Sequence, residues 1–262
     1  MSQHHYVGPA PSRGPSVVAA SLAWLLALAT IGLQIAFPLT DAANQPDLAV
    51  VTVYAFFLAS LTHALVHRGF LGGLLVAAVV PLGLLAEVVG VRGGWLFGDY
   101  SYGDVLGTTL FGVPVVVPLA WAMMAYPTYV AAARLSHRRW LVALIGGWSL
   151  MAWDVFLDPL MVHLGGWSWH DAGPSFPGVP GVPLTNFLGW FVVGSIVTLM
   201  LTFLPRPRAS IAQPATLYLW VFASSVVGNA LYFDRPQEAI VGGIAMGLVA
   251  CPFTWQLWEY RG

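Results

Sequence analysis

The chain has 262 residues, of which 58% are hydrophobic and only 8% are charged. Soluble globular proteins carry about 25% charged residues, so this composition excludes a soluble fold and indicates an outer surface that faces lipid. The formal net charge is −1 and every basic residue is an arginine, which gives no indication of a nucleic-acid partner and excludes lysine-based covalent chemistry such as a retinal Schiff base.

The predicted elements begin with a polar, Gly- and Pro-rich tail over residues 1–15, which we expect to be disordered. A single membrane-embedded domain is expected over 16–262. Crossing the hydrocarbon core takes about 20 apolar residues, and runs of that length predict an all-α, polytopic transmembrane bundle of eight spans, with seven as the alternative count. The predicted spans are 17–39, 47–67, 70–91, 112–133, 140–161, 184–204, 214–233 and 237–257.

Arginine placement tests this count. With the N-terminus inside, the outer connections carry only Arg92 and Arg235. The positive-inside rule then predicts an even number of spans, both termini in the cytoplasm and a multi-pass protein of the cell membrane. The inner segments carry Arg13, Arg68, Arg134, Arg138, Arg139, Arg206, Arg208 and Arg261.

Two outer connections are long and rich in Gly, Pro and aromatic residues, at 92–111 and 163–183. Long loops in a compact protein often serve as lids or binding loops. Their Trp and Tyr side chains would equally suit interfacial caps at the depth of the lipid headgroups. Both interpretations stay open from the sequence.

Three carboxyl groups fall within predicted spans. Glu87 lies near the outer end of the third span, and Asp154 and Asp158 lie one helical turn apart on the same face of the fifth. We expect Pro159 to kink or end that helix. Ionisable groups at membrane depth are costly and indicate a functional site.

Further polar groups fall at a similar depth, namely Asn186, Asn229 and Glu238. Five helices therefore place polar groups in the outer half of the bundle, whereas the inner halves are almost wholly apolar. Each of these three could instead be a helix-end residue that caps backbone groups. The convergence remains the strongest functional signal in the sequence.

A metal site is not indicated. His63 and His67 lie one turn apart and could ligate a metal or haem, but no carboxylate lies at that depth and Arg68 marks the interface. We therefore favour an interfacial, snorkelling placement for these two histidines. Cys251 is the sole cysteine, which excludes an intrachain disulfide and a thiolate metal site.

Several ordered blocks carry a family resemblance. The segments "EVVGVRGGWLFGDYSYGDVLGTTLFGVPVVVPLAWAMMAYPTYV", "WDVFLDPLMVHLGGWSWHDAG" and "VPLTNFLGWF" resemble the membrane-bound carotenoid biosynthesis proteins, with a weaker echo at "GNALYFD". The resemblance implies a carotenoid 1′,2′-hydratase or bisanhydrobacterioruberin hydratase. The segment "GPSFPGVPGVPLTN" departs from the family pattern and bears on the choice of end group.

That resemblance implies addition of water across a terminal isopropylidene double bond, without a cofactor. The substrate would be a lycopene, γ-carotene or C50 carotenoid taken from the bilayer, and other enzymes of the pathway would be partners. An apolar site can keep a carboxylic acid protonated for transfer to the alkene, and carboxylates and aromatic faces can stabilise the resulting tertiary cation. The alternatives are a proton- or cation-coupled transporter, a non-catalytic carotenoid-binding protein, and a lyase or cyclase acting through the same cation.

The roles follow from this chemistry. Asp154 or Glu87 is the expected acid, and the remaining carboxylates, including Asp158, are the expected cation stabiliser and base. Asn186 and Asn229 are expected to hold the water. The expected substrate contacts are Asp99, Tyr100, Tyr102, Trp121, Trp167, Trp169 and Trp190, although each aromatic residue could also be a lipid-facing or core residue.

Overall fold

A computed structural model of the chain describes residues 17–171, 173–207 and 210–259. The predicted N-terminal tail lies outside these residues. The fold is a bundle of α-helices, which confirms the all-α prediction. The helices are α1 (Val17–Ala36), α2 (Gln45–Ala77), α3 (Val79–Gly93), α4 (Val116–Leu135), α5 (Arg139–His163), α6 (Leu184–Leu201), α7 (Ala212–Leu231) and α8 (Pro236–Glu259).

Within the described residues, four short strands lie in the long connections. They are β1 (Tyr100–Tyr102), β2 (Thr109–Leu110), β3 (Val113–Pro114) and β4 (Trp167–Trp169). We call the end of the bundle that carries these strands the outer end. The opposite end, where Arg68 lies, is the inner end. The predicted cytoplasmic location of both termini stays a prediction.

Within the described residues, seven apolar segments are long enough to cross a membrane, and the one at Ala42–Gly93 is 52 residues long. A straight helix of that length would measure about 78 Å, more than twice the hydrocarbon core of about 30 Å. The chain instead breaks at Gly69, whose φ of 76° and ψ of −174° are not helical. A Cβ on Gly73 would collide with the side chain of Leu65, although residues eight apart in a straight helix are separated by about 12 Å. The chain therefore folds back at Gly69, and the segment makes two passes. The described residues then make eight passes, the number predicted.

Helix α4 is the centre of the bundle. Every residue from Trp121 to Ala132 is buried, and successive helical residues point in directions about 100° apart. Neighbouring helices therefore cover α4 on all sides. It contacts α2, α3, α5, α6, α7 and α8.

The fourth helix begins later than predicted. The apolar run starts at residue 112, but the helix starts at Val116. The preceding residues form a β2–β3 hairpin in which Thr109 pairs with Pro114 and Leu110 with Val113. Phe111 and Gly112 both have positive φ, 55° and 87°, which suits a tight two-residue hairpin turn. Hydropathy alone does not separate such a hairpin from the start of a helix.

Helices α5 and α6 approach each other through glycines. A Cβ on Gly147 would lie 2.6 Å from the carbonyl oxygen of Phe191, and one on Gly194 would lie 3.2 Å from the Cα of Gly147. Small residues let two membrane helices pack backbone to backbone. This close packing places the outer part of α5 beside the start of α6.

Pro159 does not end α5. The helix continues to His163, so of the two predicted effects, a kink or an end, the structure excludes the end. A proline removes one backbone hydrogen bond without preventing the helix from continuing when the neighbouring helices hold it in place. The two aspartates therefore stay on one helical face.

The two long outer connections meet in a two-stranded ribbon. Strands β1 and β4 pair antiparallel, with Tyr100 opposite Trp169 and Tyr102 opposite Trp167. Because side chains alternate across a strand, these four aromatic residues lie on one face of the ribbon. That face covers the outer end of the bundle.

Candidate active site

The outer end of the bundle contains a cavity of about 230 Å³. Its wall is mostly apolar and aromatic, and α1 to α7 and both strands of the ribbon contribute to it. A concave apolar site with a few convergent polar groups is the usual form of a small-molecule site. The predicted site residues that line it are Glu87, Tyr100, Tyr102, Trp121, Asp158, Trp167, Trp169, Asn186, Trp190 and Asn229.

Glu87 is held by three hydrogen bonds. Tyr100 Oη and Tyr102 Oη donate to its Oε2 at 2.5 and 2.7 Å, and Trp121 Nε1 donates to its Oε1 at 2.8 Å. Glu87 is 4% exposed. Hydrogen bonds donated to a carboxyl group favour its ionised form, whereas burial favours the neutral form. The ribbon and α4 fix the orientation of this carboxyl group in the cavity wall.

The two tyrosines lie in the loop between spans, outside the membrane-spanning segments. Burial, together with the nearby charge of Glu87, raises the pKa of Tyr100 and of Tyr102 above the ordinary value. Both hydroxyls therefore keep their protons at neutral pH. They remain donors to Glu87.

Asp154 and Asp158 form a pair bridged by Asn186. The Nδ2 of Asn186 donates to Oδ2 of Asp154 at 2.7 Å and also to Oδ2 of Asp158. Because one amide nitrogen contacts both Oδ2 atoms, the two carboxyl groups lie side by side. Two close carboxylates away from water do not both ionise. We therefore expect the pair to hold one proton.

Only one member of this pair reaches the cavity. Asp158 lines the cavity, and its Oδ1 accepts a hydrogen bond from Trp167 Nε1 at 3.1 Å. Asp154 is fully buried behind it and is not among the lining residues; its Oδ1 has no hydrogen-bond partner within the described chain. A molecule in the cavity can therefore contact Asp158 but not Asp154.

The aromatic residues form a continuous wall. Trp121 and Trp190 are stacked with their ring centroids 3.9 Å apart, and Trp153 packs edge-on against Trp190 at 5.8 Å. All three line the cavity. The faces of such rings carry negative electrostatic potential, which attracts a cation. Trp153 was not predicted as a site residue, although its place one residue before Asp154 on α5 could have indicated it.

Two polar residues lie outside the cavity lining. Asp99 is exposed, and its backbone carbonyl accepts a hydrogen bond from the His170 N–H. The expected substrate contact at Asp99 stays a prediction. Glu238 pairs with Arg235 at 3.6 Å in the first turn of α8. That contact agrees with the helix-end interpretation of Glu238.

The inner half of the bundle is more polar than predicted. His63 hydrogen-bonds to Tyr126 Oη at 2.8 Å and to the Ser210 carbonyl at 3.2 Å, and Arg68 Nε donates to the same Tyr126 Oη at 3.0 Å. His63 and His67 are stacked and buried in the protein. The two histidines therefore do not extend outward as snorkelling side chains would, and Tyr126 and Ser210 supply hydrogen-bond partners for His63. Their interfacial depth stays a prediction.

No group of three or more His, Cys, Asp or Glu side chains in the described ranges is placed to hold a metal ion. The donors of the cavity are carboxyl, amide and phenol groups. Acid–base chemistry at a carboxyl pair is what they can perform by themselves.

The chain is similar in sequence to known proteins. The sequence profile of the family described as "Carotenoid biosynthesis protein" matches residues 46–251. A bisanhydrobacterioruberin hydratase of Haloarcula japonica is 32% identical over 136 residues, which are 50% of this chain and 45% of that protein. The match thus spans less than half of the relative's length. No solved structure matches the chain significantly.

Proposed function

The chain belongs to the family of carotenoid biosynthesis proteins, and on this premise we propose that it is a carotenoid hydratase. It adds water across a terminal isopropylidene double bond of an acyclic or monocyclic carotenoid end group. Membership of the family confirms the resemblance read from the sequence. The observation that carries the proposal is that one apolar and aromatic cavity is lined by Asp158, which Asn186 joins to Asp154, and by the separately anchored carboxyl group of Glu87.

Asp158 is the proposed acid. The sequence predicts Asp154 or Glu87 as the acid, but Asp158 is the member of the pair that lines the cavity. Glu87 accepts hydrogen bonds from three donors, which favours its ionised form. The proton passes from Asp158 to the CH carbon of the alkene, and the π electrons form the new C–H bond. Asp154 and Asn186 are positioning residues that hold the proton on the pair.

Protonation leaves a tertiary cation on the carbon that bears the two methyl groups. The carboxylate of Glu87 and the faces of Trp121 and Trp190 stabilise it. A lone pair of water then forms the C–O bond, and the surplus proton of the oxonium returns to the ionised Asp158, directly or by way of Glu87. The double bond has gained one water, and the carboxyl groups are restored.

The apolar part of the cavity suits a hydrocarbon end group. Ring faces and aliphatic side chains gain free energy from contact with apolar surface, roughly 25 cal/mol per Å² buried. Lycopene, γ-carotene and C50 carotenoids all carry such ends, and the bilayer of the cell membrane dissolves them. The name of the Haloarcula relative supports hydration as the reaction. Other enzymes of carotenoid synthesis are the proposed partners.

The alternative of a coupled transporter needs a polar path through the bundle. The hydrogen-bonded inner network, made of His63, Arg68 and Tyr126, shares no residue with the described lining of the cavity. A non-catalytic carotenoid-binding protein remains the second alternative, and it predicts pigment binding without any change in pigment mass. Nothing in the cavity favours either over hydration.

Expression in a host that accumulates lycopene tests the proposal. Mass spectrometry should find carotenoids heavier by the mass of one water, or of two if both ends react. Asp158→Asn and Glu87→Gln at equal protein level should remove the product. Near-normal hydration in both variants would refute the assignment of these carboxyl groups, and unchanged lycopene with the unsubstituted protein would refute the proposed function.

A further inference from the structure

The cavity has a second polar region, and its residues lie on other helices than the carboxyl groups do. It consists of neutral side chains on α1, α2 and α7, which we call the neutral wall. The other residues that these helices contribute to the cavity are apolar, apart from the backbone at Gly228. The neutral wall is made of Gln34, Thr52, Ser224, Ser225 and Asn229.

Asn229 is the residue of this wall with an unused polar group. Its side chain is 2% exposed. The Nδ2 donates to the carbonyl of Ser225 at 2.9 Å, one turn back on α7, whereas Oδ1 has no partner within the described chain. A buried acceptor without a partner costs about 1–3 kcal/mol, and water normally satisfies such an atom where the site is polar and has room. The atom lies on a residue that lines the cavity.

Other polar groups line the same cavity as Asn229. The Oε1 of Gln34 accepts a hydrogen bond from Trp220 Nε1 at 2.8 Å. This contact sets the orientation of the amide, whose N–H groups remain as donors. Ser225 lies one turn from Asn229 on the same face of α7 and also lines the cavity. A water needs two to four polar partners. Amide and hydroxyl groups supply both donors and acceptors.

The carboxyl side of the cavity offers less to a water. Asn186, which was predicted from the sequence to hold the water, donates hydrogen bonds from its Nδ2 to both aspartates. Glu87 is occupied by three donors. The residues that hold and move the proton are therefore engaged with one another.

We propose that the neutral wall binds the nucleophilic water and that Asn229 Oδ1 orients it, so that proton and water reach the alkene from different walls of the cavity. This inference rests on the proposed hydratase function. Asn229 accepts a hydrogen bond from the water, which turns an oxygen lone pair toward the cation. Without this contact the cation still forms, but it collapses by losing a proton to a carboxylate, and the C–H electrons restore a double bond.

The two fates of the cation can be told apart in D₂O. Collapse without water leaves an unhydrated carotenoid in which deuterium has replaced a carbon-bound hydrogen, whereas hydration gives the alcohol with one carbon-bound deuterium. The assay uses the full chain in lipid nanodiscs with lycopene, and mass spectrometry measures both products. The variants are Asn229→Leu, which keeps the branched shape, and Ser225→Ala. Asn44→Ala, at an exposed asparagine that does not line the cavity, is the matched control.

For Asn229→Leu we expect the ratio of hydrated to deuterated, unhydrated carotenoid to fall on the order of tenfold, the effect of losing about one hydrogen bond. Ser225→Ala should shift the ratio in the same direction by less, and Asn44→Ala should leave it unchanged. An unchanged ratio in Asn229→Leu would overturn the inference. A parallel loss of hydration and deuterium in both variants would also overturn it, because these residues would then serve folding or protonation. Absence of hydrated product from the unsubstituted protein would instead refute the hydratase function itself.

Discussion

The anchoring of Glu87 by the ribbon gives a prediction whose size follows from the structure. Tyr102→Phe removes a hydroxyl that donates to Glu87 Oε2 at 2.7 Å. A hydrogen bond to a charged group contributes about 1.5–3 kcal/mol, so the variant should lose about 2 kcal/mol of unfolding free energy. The looser carboxylate stabilises the cation less well. If the transition state loses the same amount, the hydration rate falls about 30-fold.

Tyr218→Phe is the matched control. Tyr218 is fully buried and its hydroxyl bonds to Ser149 Oγ at 2.6 Å, a neutral pair that lies outside the cavity lining. Its loss should cost about 1 kcal/mol and leave the hydration rate unchanged. Both proteins are unfolded in mixed micelles with increasing SDS, and hydration is measured on the same preparations.

The comparison decides whether Glu87 is an anionic acceptor. The double variant Tyr100→Phe/Tyr102→Phe should cost less than the sum of the single variants, because both hydroxyls share Oε2 and the remaining donor can adjust. If Tyr102→Phe costs no more than Tyr218→Phe and hydration persists, the assignment of Glu87 as a charged cation stabiliser is wrong.

Three further predictions test other parts of the site. Asp154→Asn should lower hydration about 100-fold at unchanged protein level, because the amide cannot share a proton as the carboxyl does; normal product in the pigment extract would contradict that role. The pKa values of Tyr100 and Tyr102 are raised in the folded state, so their contribution to stability is complete below pH about 10 and is lost as the pH rises above it. The double variant Tyr100→Phe/Tyr102→Phe should therefore lose less thermal stability at alkaline pH than the unsubstituted protein. Equal dependence of the melting temperature on pH in the two proteins would refute the shift. Gly147→Leu should destabilise the bundle by about 1–3 kcal/mol and reduce hydration, whereas Gly32→Ala, where a Cβ meets nothing within 4 Å, should do neither; similar melting temperatures would contradict close packing of α5 on α6.

The bundle could be predicted because lipid leaves few alternatives. A segment that crosses the bilayer must be apolar over about 20 residues, so the eight passes are visible in the sequence, including the two that meet at Gly69. Consecutive helices cross the membrane in opposite directions, so the end of each helix lies on the same side of the membrane as the start of the next. The proximity of Glu87, Asp158 and Asn229 follows from that rule, since each lies toward an outer helix end.

The details of the cavity could not be predicted in the same way. The pairing of β1 with β4 joins segments more than 60 residues apart. The sequence of neither segment indicates which segment it pairs with. Asp154 and Asp158 share one helical face, yet only Asp158 reaches the cavity, a difference set by how α5 packs on α6. The burial of His63 likewise depends on Tyr126, a residue on another helix.

The most direct test of acid-catalysed hydration in this cavity is an isotope measurement. The purified full chain in nanodiscs is given lycopene in H₂¹⁸O, and the product is analysed by mass spectrometry. The account predicts one heavy oxygen for each hydrated end with the unsubstituted protein and none with Asp158→Asn. Heavy oxygen in the Asp158→Asn product at the unsubstituted level, or no heavy oxygen in either, would contradict it.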